Sequence, residues 1–340
     1  MGGTGGVFMQ KRQFGLDLLR CLALLFVVTF HSFLNNGYYS APQTGAAMWL
    51  AGSFRWLSVS CIGLFLMLTG YLRSGSPEPR DCWRGLPGVL LGYLAACVIT
   101  IPIRHFLLGD TLSLSGWLRR LFGFSALYYG WYVEMFLGLT LLMPFLNRVL
   151  EGKHMYLFAG VLLFLTARPG ATPWILAPDH WRVCYPITYY VLGAIIRRTQ
   201  PRIPVLMGIG GAIVISLALG GATVLSTEES LSSALVWEFG DLWILMIAVC
   251  LFLSLYRLEA GPRVSKCFGF LAGGCYGGYL LSHLLDAWCY RLVPGWHSPE
   301  TYPKLFFFVT VPIFLTSVLA GWLLQRLVGC LLPKRKEAVR

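Results

Sequence analysis

The sequence predicts an all-α fold: a polytopic membrane bundle of about ten transmembrane helices with both termini cytoplasmic. Three observations predict it. Of the 340 residues, 56% are hydrophobic and only 12% charged. The apolar residues gather in blocks that approach or exceed the roughly 20 residues a helix needs to cross a bilayer. Lys and Arg, in turn, collect in alternate connecting segments. No hydrophilic stretch is long enough to bury a core of its own. One membrane domain, residues 12–332, therefore lies between a Gly-rich segment 1–11, read as disordered, and a basic cytoplasmic tail 333–340.

The first apolar block, 16–36, follows Lys11 and Arg12. It runs past the length of a signal-peptide core and lacks a small-residue cleavage site, so it reads as an uncleaved span. Blocks 47–72, 86–108 and 128–150 come next. Between the last two lies "TLSLSGWLRRLFGF", where Leu112, Leu114, Trp117, Leu118, Leu121 and Phe122 surround a polar edge. That pattern predicts a short amphipathic helix on the outer interface. Blocks 154–168 and 183–198 are short and flank "RPGATPWILAPDHW", whose prolines blur their limits. Blocks 203–226, 235–256, 267–290 and 305–332 complete the bundle. A wrong count would scramble the alternation of basic segments. With the N-terminus inside, inner segments hold seventeen Lys and Arg and outer segments seven, which sustains ten spans.

A net charge of +12 raises nucleic acid as a partner, but the cations sit in short loops between apolar runs and not on a nucleic-acid-binding motif or a basic helix. Membrane topology accounts for them. The ten cysteines lie mostly inside apolar blocks, with no CxxC pair and no Cys/His ligand spacing, so they read as small packing residues, with no metal expected.

Within the first block, "LDLLRCLALLFVVTFHSF" carries Asp17, Arg20 and His31. On a helix, Arg20 and His31 lie within about 20° of one another and about 16 Å apart along the axis. Asp17 precedes Arg20 by three and joins the same face. A snorkelling pair at one interface and a helix-capping His at the other would also place these residues here. A shared face nearly as long as the span points instead to a polar path through the protein, since ionisable groups in spans face a bundle interior or a cavity. Other spans supply walls for it. Glu134 lies at a depth similar to His31, while Glu238 with Asp241, and His283 with Asp286, are i, i+3 pairs that each share a face in the outer half. Arg20 and Arg73 lie toward the inner half. Cations on that side suit a phosphate-bearing ligand, and His with carboxylates on the other suits proton transfer at a hydroxyl.

The stretch from Asp17 through Arg20 to His31 resembles the opening span of the acyltransferase 3 family of integral membrane enzymes. "SVSCIGLFLMLTGYLRS", with Thr69, Gly70, Tyr71 and Leu72, is similar to the family's second-span signature, Thr69 standing where Ser is commoner. "WYVEMFLGLTLLMPFLN" is similar to another family segment, and "CYGGYLLSH", with Tyr276, Tyr279, Leu280 and His283, to a fourth. The resemblance runs from about residue 12 to 330, in the family's order. One subgroup's W-S-L-x-x-E-E form is absent, Trp131 and Glu134 standing at shorter spacing.

The resemblance implies a cytoplasmic (inner) membrane protein in a bacterium. It implies acyl transfer, acetyl foremost, from cytoplasmic acyl-CoA (acetyl-CoA) to a hydroxyl of a cell-surface glycan or its lipid-linked precursor. Some members carry a fused hydrolase-like domain, which these residues lack; transfer is expected to finish in the membrane domain or pass to another protein. Arg73 and Arg20, with Asp17 orienting Arg20, are expected to bind the donor. His31 is expected to be the general base, its ring oriented by Glu134. Direct transfer and a covalent acyl-His are both open. Trp131, Tyr132, Glu238, Asp241, Tyr279 and His283 are the candidates for acceptor binding. A secondary transporter or exporter also needs a charged path, and the glycines of "GIGGAI" and "AGGCYGGY" would interrupt its spans.

Overall fold

A computed structural model describes residues 13–169, 177–225, 239–293 and 298–331. The segment read as disordered, the basic tail and part of the Pro-rich connector lie outside the described residues. Helix α1, Phe14–Asn35, occupies the centre because it is apolar on nearly every side, and it buries Leu19, Ala23, Leu24, Val27 and Val28 almost completely. Around it stand α2 (Gly45–Val59), α3 (Cys61–Arg73), the short α4 (Pro79–Trp83), α5 (Leu86–Phe106) and α6 (Leu114–Phe122). Then come α7 (Trp131–Glu151), α8 (Met155–Thr166), α9 (Tyr185–Thr199) and α10 (Val205–Leu225). The last three are α11 (Leu242–Leu255), α12 (Pro262–Cys289) and α13 (Val311–Leu331).

By length and composition, six helical stretches of the described residues can cross a membrane: Phe14–Asn35, Gly45–Arg73, Pro79–Phe106, Trp131–Glu151, Val205–Leu225 and Pro299–Leu331. Helices α8 and α11 are apolar but shorter. Helices α9 and α12 occupy the two remaining predicted blocks. The amphipathic helix expected after the third block is α6, with Leu114, Leu118 and Phe122 exposed on one side and Trp117 buried on the other.

The structure departs from the sequence reading in four places. The second block is two helices, broken at Ser60. Ser58 Oγ donates to the Arg55 carbonyl and Ser60 Oγ to that of Leu57, both at 2.7 Å, and such local bonds compete with the helical ladder. The fourth block starts three residues late, because residues 128–130 form a turn closed by Gly130 N–H on the Leu127 carbonyl at 3.0 Å. A Cβ on Gly130 would meet the Phe124 carbonyl oxygen, so only glycine allows this approach. The last block begins at Pro299 and passes through a π-helical turn at Phe306–Thr310. Finally, the glycines taken as interruptions sit inside continuous helices. Gly208, Gly210 and Gly211 lie within α10, and Gly273, Gly274, Gly277 and Gly278 within α12. There they allow close packing: a Cβ on Gly321 of α13 would stand 2.0 Å from the Gly278 nitrogen. The pair α12 and α13 accordingly makes the most extensive contact in the bundle.

The ends of the helices sort into two sides. Gly15 N–H donates to the Leu258 carbonyl at 3.1 Å, Asn147 Nδ2 to the Arg73 carbonyl at 3.0 Å, and Arg197 to that of Leu72 at 3.2 Å. The first bond joins the start of α1 to the end of α11, and the other two join the end of α3 to the last turns of α7 and α9. At the opposite side Arg55 is buried, its Nε donating to Tyr39 at 2.9 Å and its guanidinium lying 4.6 Å from the Trp56 ring.

Candidate active site

The site is built on α1. Arg20 Nη1 donates to Asp17 Oδ1 at 2.7 Å; the carboxylate is buried and the guanidinium half-buried. Arg20 lines a cavity of about 470 Å³ between α1, α3, α5, α7, α12 and α13. Arg73, from the last turn of α3, lines the same cavity and makes no ion pair among the described residues. Leu68, Leu72, Val89, Val133 and Phe136 make its walls apolar. A chamber with cations at one end and apolar walls fits a long thiol-bearing arm ending in phosphates.

Tyr132 and Tyr279 close the far end of the chamber, with ring centroids 5.3 Å apart. Tyr279 donates its hydroxyl to the Tyr129 carbonyl at 2.7 Å, and the Tyr129 ring lies 3.9 Å from the imidazole of His31. Contacts thus run from the chamber through Tyr279 and then Tyr129 to the imidazole. His31 Nδ1 is 2.7 Å from the Val27 carbonyl. A carbonyl only accepts, so Nδ1 carries a proton, and in the neutral imidazole that leaves the lone pair on Nε2, the state a general base needs.

Helix α12 supplies the other wall. Tyr279, His283 and Asp286 follow at steps of four and three and form one stripe. His283 stacks on the exposed Tyr128 at 4.4 Å and lies 5.3 Å from the Tyr129 ring. Asp286 is wholly buried, and its Oδ2 accepts from the Tyr129 hydroxyl at 2.8 Å. Its Oδ1 has no partner among the described residues.

The remaining predicted residues stand apart from this cluster or play other parts in it. Glu134 is exposed in the first turn of α7. The task of fixing the imidazole tautomer, expected of Glu134, falls to the backbone of α1 through Val27. Trp131 stacks on Phe239 at 5.7 Å, and Phe239 in turn packs on Phe30 at 6.2 Å, which holds Trp131 on the outer flank of His31. Asp241 caps α11, its Oδ1 accepting from Trp243 N–H at 2.8 Å. That structural bond removes one of the carboxylate's acceptor positions from any ligand. Glu238 lies outside the described residues. Sequence reading passed over Tyr129 and took Asp286 only as an outer acid on His283's face; the signal available for the first was its place in "LYYGWY", a Gly-bounded turn between an amphipathic helix and a span.

Among the described residues, no three His, Cys, Asp or Glu side chains gather as metal ligands. A family model described as an acyltransferase domain matches residues 13–326 of the chain. No curated protein and no solved structure matches.

Proposed function

The chain belongs to the acyltransferase 3 family, and from that premise we propose that it transfers an acyl group, acetyl foremost, from cytoplasmic acyl-CoA to a hydroxyl of an extracytoplasmic glycan or lipid-linked precursor. It is a multi-pass membrane protein and an acyltransferase by family. Ten spans with both termini cytoplasmic, in a bacterial inner membrane, complete the reading. The observation that carries it is the chamber: Arg20 and Arg73 line it, and its Tyr279 is joined through Tyr129 to His31.

In this mechanism the donor's phosphates meet Arg73 and Arg20 while its pantetheine arm lies along the apolar walls. Passage of the incoming arm beyond Tyr132 and Tyr279, with Tyr129 held by Asp286, brings the thioester carbonyl to His31. The acceptor hydroxyl arrives from the other side. Nε2 of His31 takes the hydroxyl proton as the oxygen attacks the carbonyl carbon, the C–S bond breaks, and the departing thiolate of CoA receives the proton. Asp17 holds Arg20 in place, Trp131 offers a stacking face for a sugar, and His283 lies on the acceptor side.

The test is mass spectrometry of envelope glycans from the native host carrying wild type, a deletion, or His31→Ala at equal membrane level. An acyl mass increment that appears with wild type and vanishes in both other strains supports the reading. Persistence with His31→Ala would remove His31 as the base, and an increment independent of the protein would overturn acyl transfer to these glycans.

A further inference from the structure

A buried carboxylate with no cation beside it is costly unless something in the fold requires it. Asp286 is such a group. It is fully buried, pairs with no cation among the described residues, and makes one hydrogen bond, to the Tyr129 hydroxyl at 2.8 Å. Tyr129 is fixed at both ends by α12, its carbonyl by Tyr279 at 2.7 Å and its hydroxyl by Asp286. Its ring carries the His31 imidazole at 3.9 Å and borders His283 at 5.3 Å. His31 has its own tether at Nδ1, and the Tyr129 ring, packed on the imidazole at a tilt of 44°, limits the rotation that one hydrogen bond still allows.

We propose that Tyr129, locked by Asp286, is a positioning residue that sets the plane of His31 and so the direction of its Nε2 lone pair. The inference rests on the acyl-transfer reading for its meaning, but the geometry it asserts is independent of any reaction. Asp286 acts only through Tyr129. What it must supply is an acceptor oxygen at a fixed place. An amide meets that requirement and an alkyl side chain does not. The unpartnered Oδ1 agrees with this division of labour, since one oxygen of the carboxylate carries the whole contact.

Two measurements on the full-length protein in membranes test it. The first is carbethoxylation of histidines by diethyl pyrocarbonate, followed peptide by peptide by mass spectrometry, with His105 as internal reference. Tyr129→Phe and Asp286→Leu are expected to change the His31 rate by about threefold or more, the span a single lost hydrogen bond allows, while Asp286→Asn leaves it near wild type. The second is transfer of label from radioactive acetyl-CoA to the envelope fraction of native membranes. There, Tyr129→Phe and Asp286→Leu are expected to lower kcat about tenfold with KM for acetyl-CoA within about twofold. The double variant should be no worse than either single one, because the two residues act as a unit.

An unchanged His31 rate in Tyr129→Phe and Asp286→Leu overturns the proposal. So does an Asp286→Asn variant as impaired as Asp286→Leu, which would make the charge and not the acceptor oxygen the requirement. Additive losses in the double variant overturn it too. If the His31 rate shifts as expected but label transfer survives His31→Ala, the positioning stands and the proposed function fails.

Discussion

Arg20 of α1 and Arg73 of α3 line one chamber, although they come from different helices. Arg20 is already paired with Asp17, whereas Arg73 makes no ion pair among the described residues. The two should therefore respond differently to substitution. Arg73→Ala removes a guanidinium available to a phosphate and is expected to raise KM for acetyl-CoA about tenfold, the worth of one charge-assisted hydrogen bond, with kcat little altered. Arg20→Ala also takes the Arg20 guanidinium from a buried carboxylate, so the amount of folded protein in the membrane should fall as well. Steady-state kinetics on level-matched membranes, with detergent-extracted protein scored by gel filtration, separates these outcomes.

Replacement of His31 by Ala or Gln is expected to lower acyl transfer by about two to four orders of magnitude, the range typical of a lost general base. The fold should tolerate either change, because the ring's bond to Val27 lies within one helix. A folded but inactive protein is the expected result, and activity within about threefold of wild type would remove the imidazole from the chemistry.

Gly321→Val places a branched side chain where α12 and α13 touch through backbone. Overpacking of this kind typically costs about 1 to 3 kcal/mol, and here the opposing atoms belong to a main chain that has no rotamer to yield. A lower melting temperature in detergent and a reduced membrane yield are expected. Gly329→Val, on the same helix but with open space around it, should match wild type.

Topology is open to chemical labelling. Glu259 and Ser298 are both exposed, at opposite ends of α12. With the native cysteines as background, a membrane-impermeant maleimide should label Ser298→Cys in intact cells and Glu259→Cys only after the membrane is opened. Labelling of both from outside would refute the proposed orientation.

Much of this was legible from residue order because helices are local. The stripe from Asp17 through Arg20 to His31 needs only the helical turn, and Arg20 with its bond to Asp17 appears in the structure as that spacing requires. The break at Ser60 left a trace in "SVSC", two hydroxyls each bonding three residues back, but a hydrophobic block conceals it. The glycines of α12 were ambiguous for a different reason. The same residue both loosens a helix and lets another backbone approach it, and only the position of Gly321 decides between the two. Tyr129 was beyond the reach of periodicity altogether. It sits in a turn, and its importance comes from Asp286 and His31, neighbours that folding alone supplies.

The layer formed by Tyr132 and Tyr279 has a consequence for the cell's energy supply. A catalyst that meets a soluble donor at one face and delivers to the other must not become a leak, since a water-filled passage would dissipate the ion gradients the membrane maintains. In the proposed mechanism the rings of Tyr132 and Tyr279, 5.3 Å apart at the chamber wall, would be the barrier between the donor's entry and the imidazole. Insulation and turnover thus compete for the same pair of side chains, and a variant that trims both rings should show its first phenotype as proton conductance.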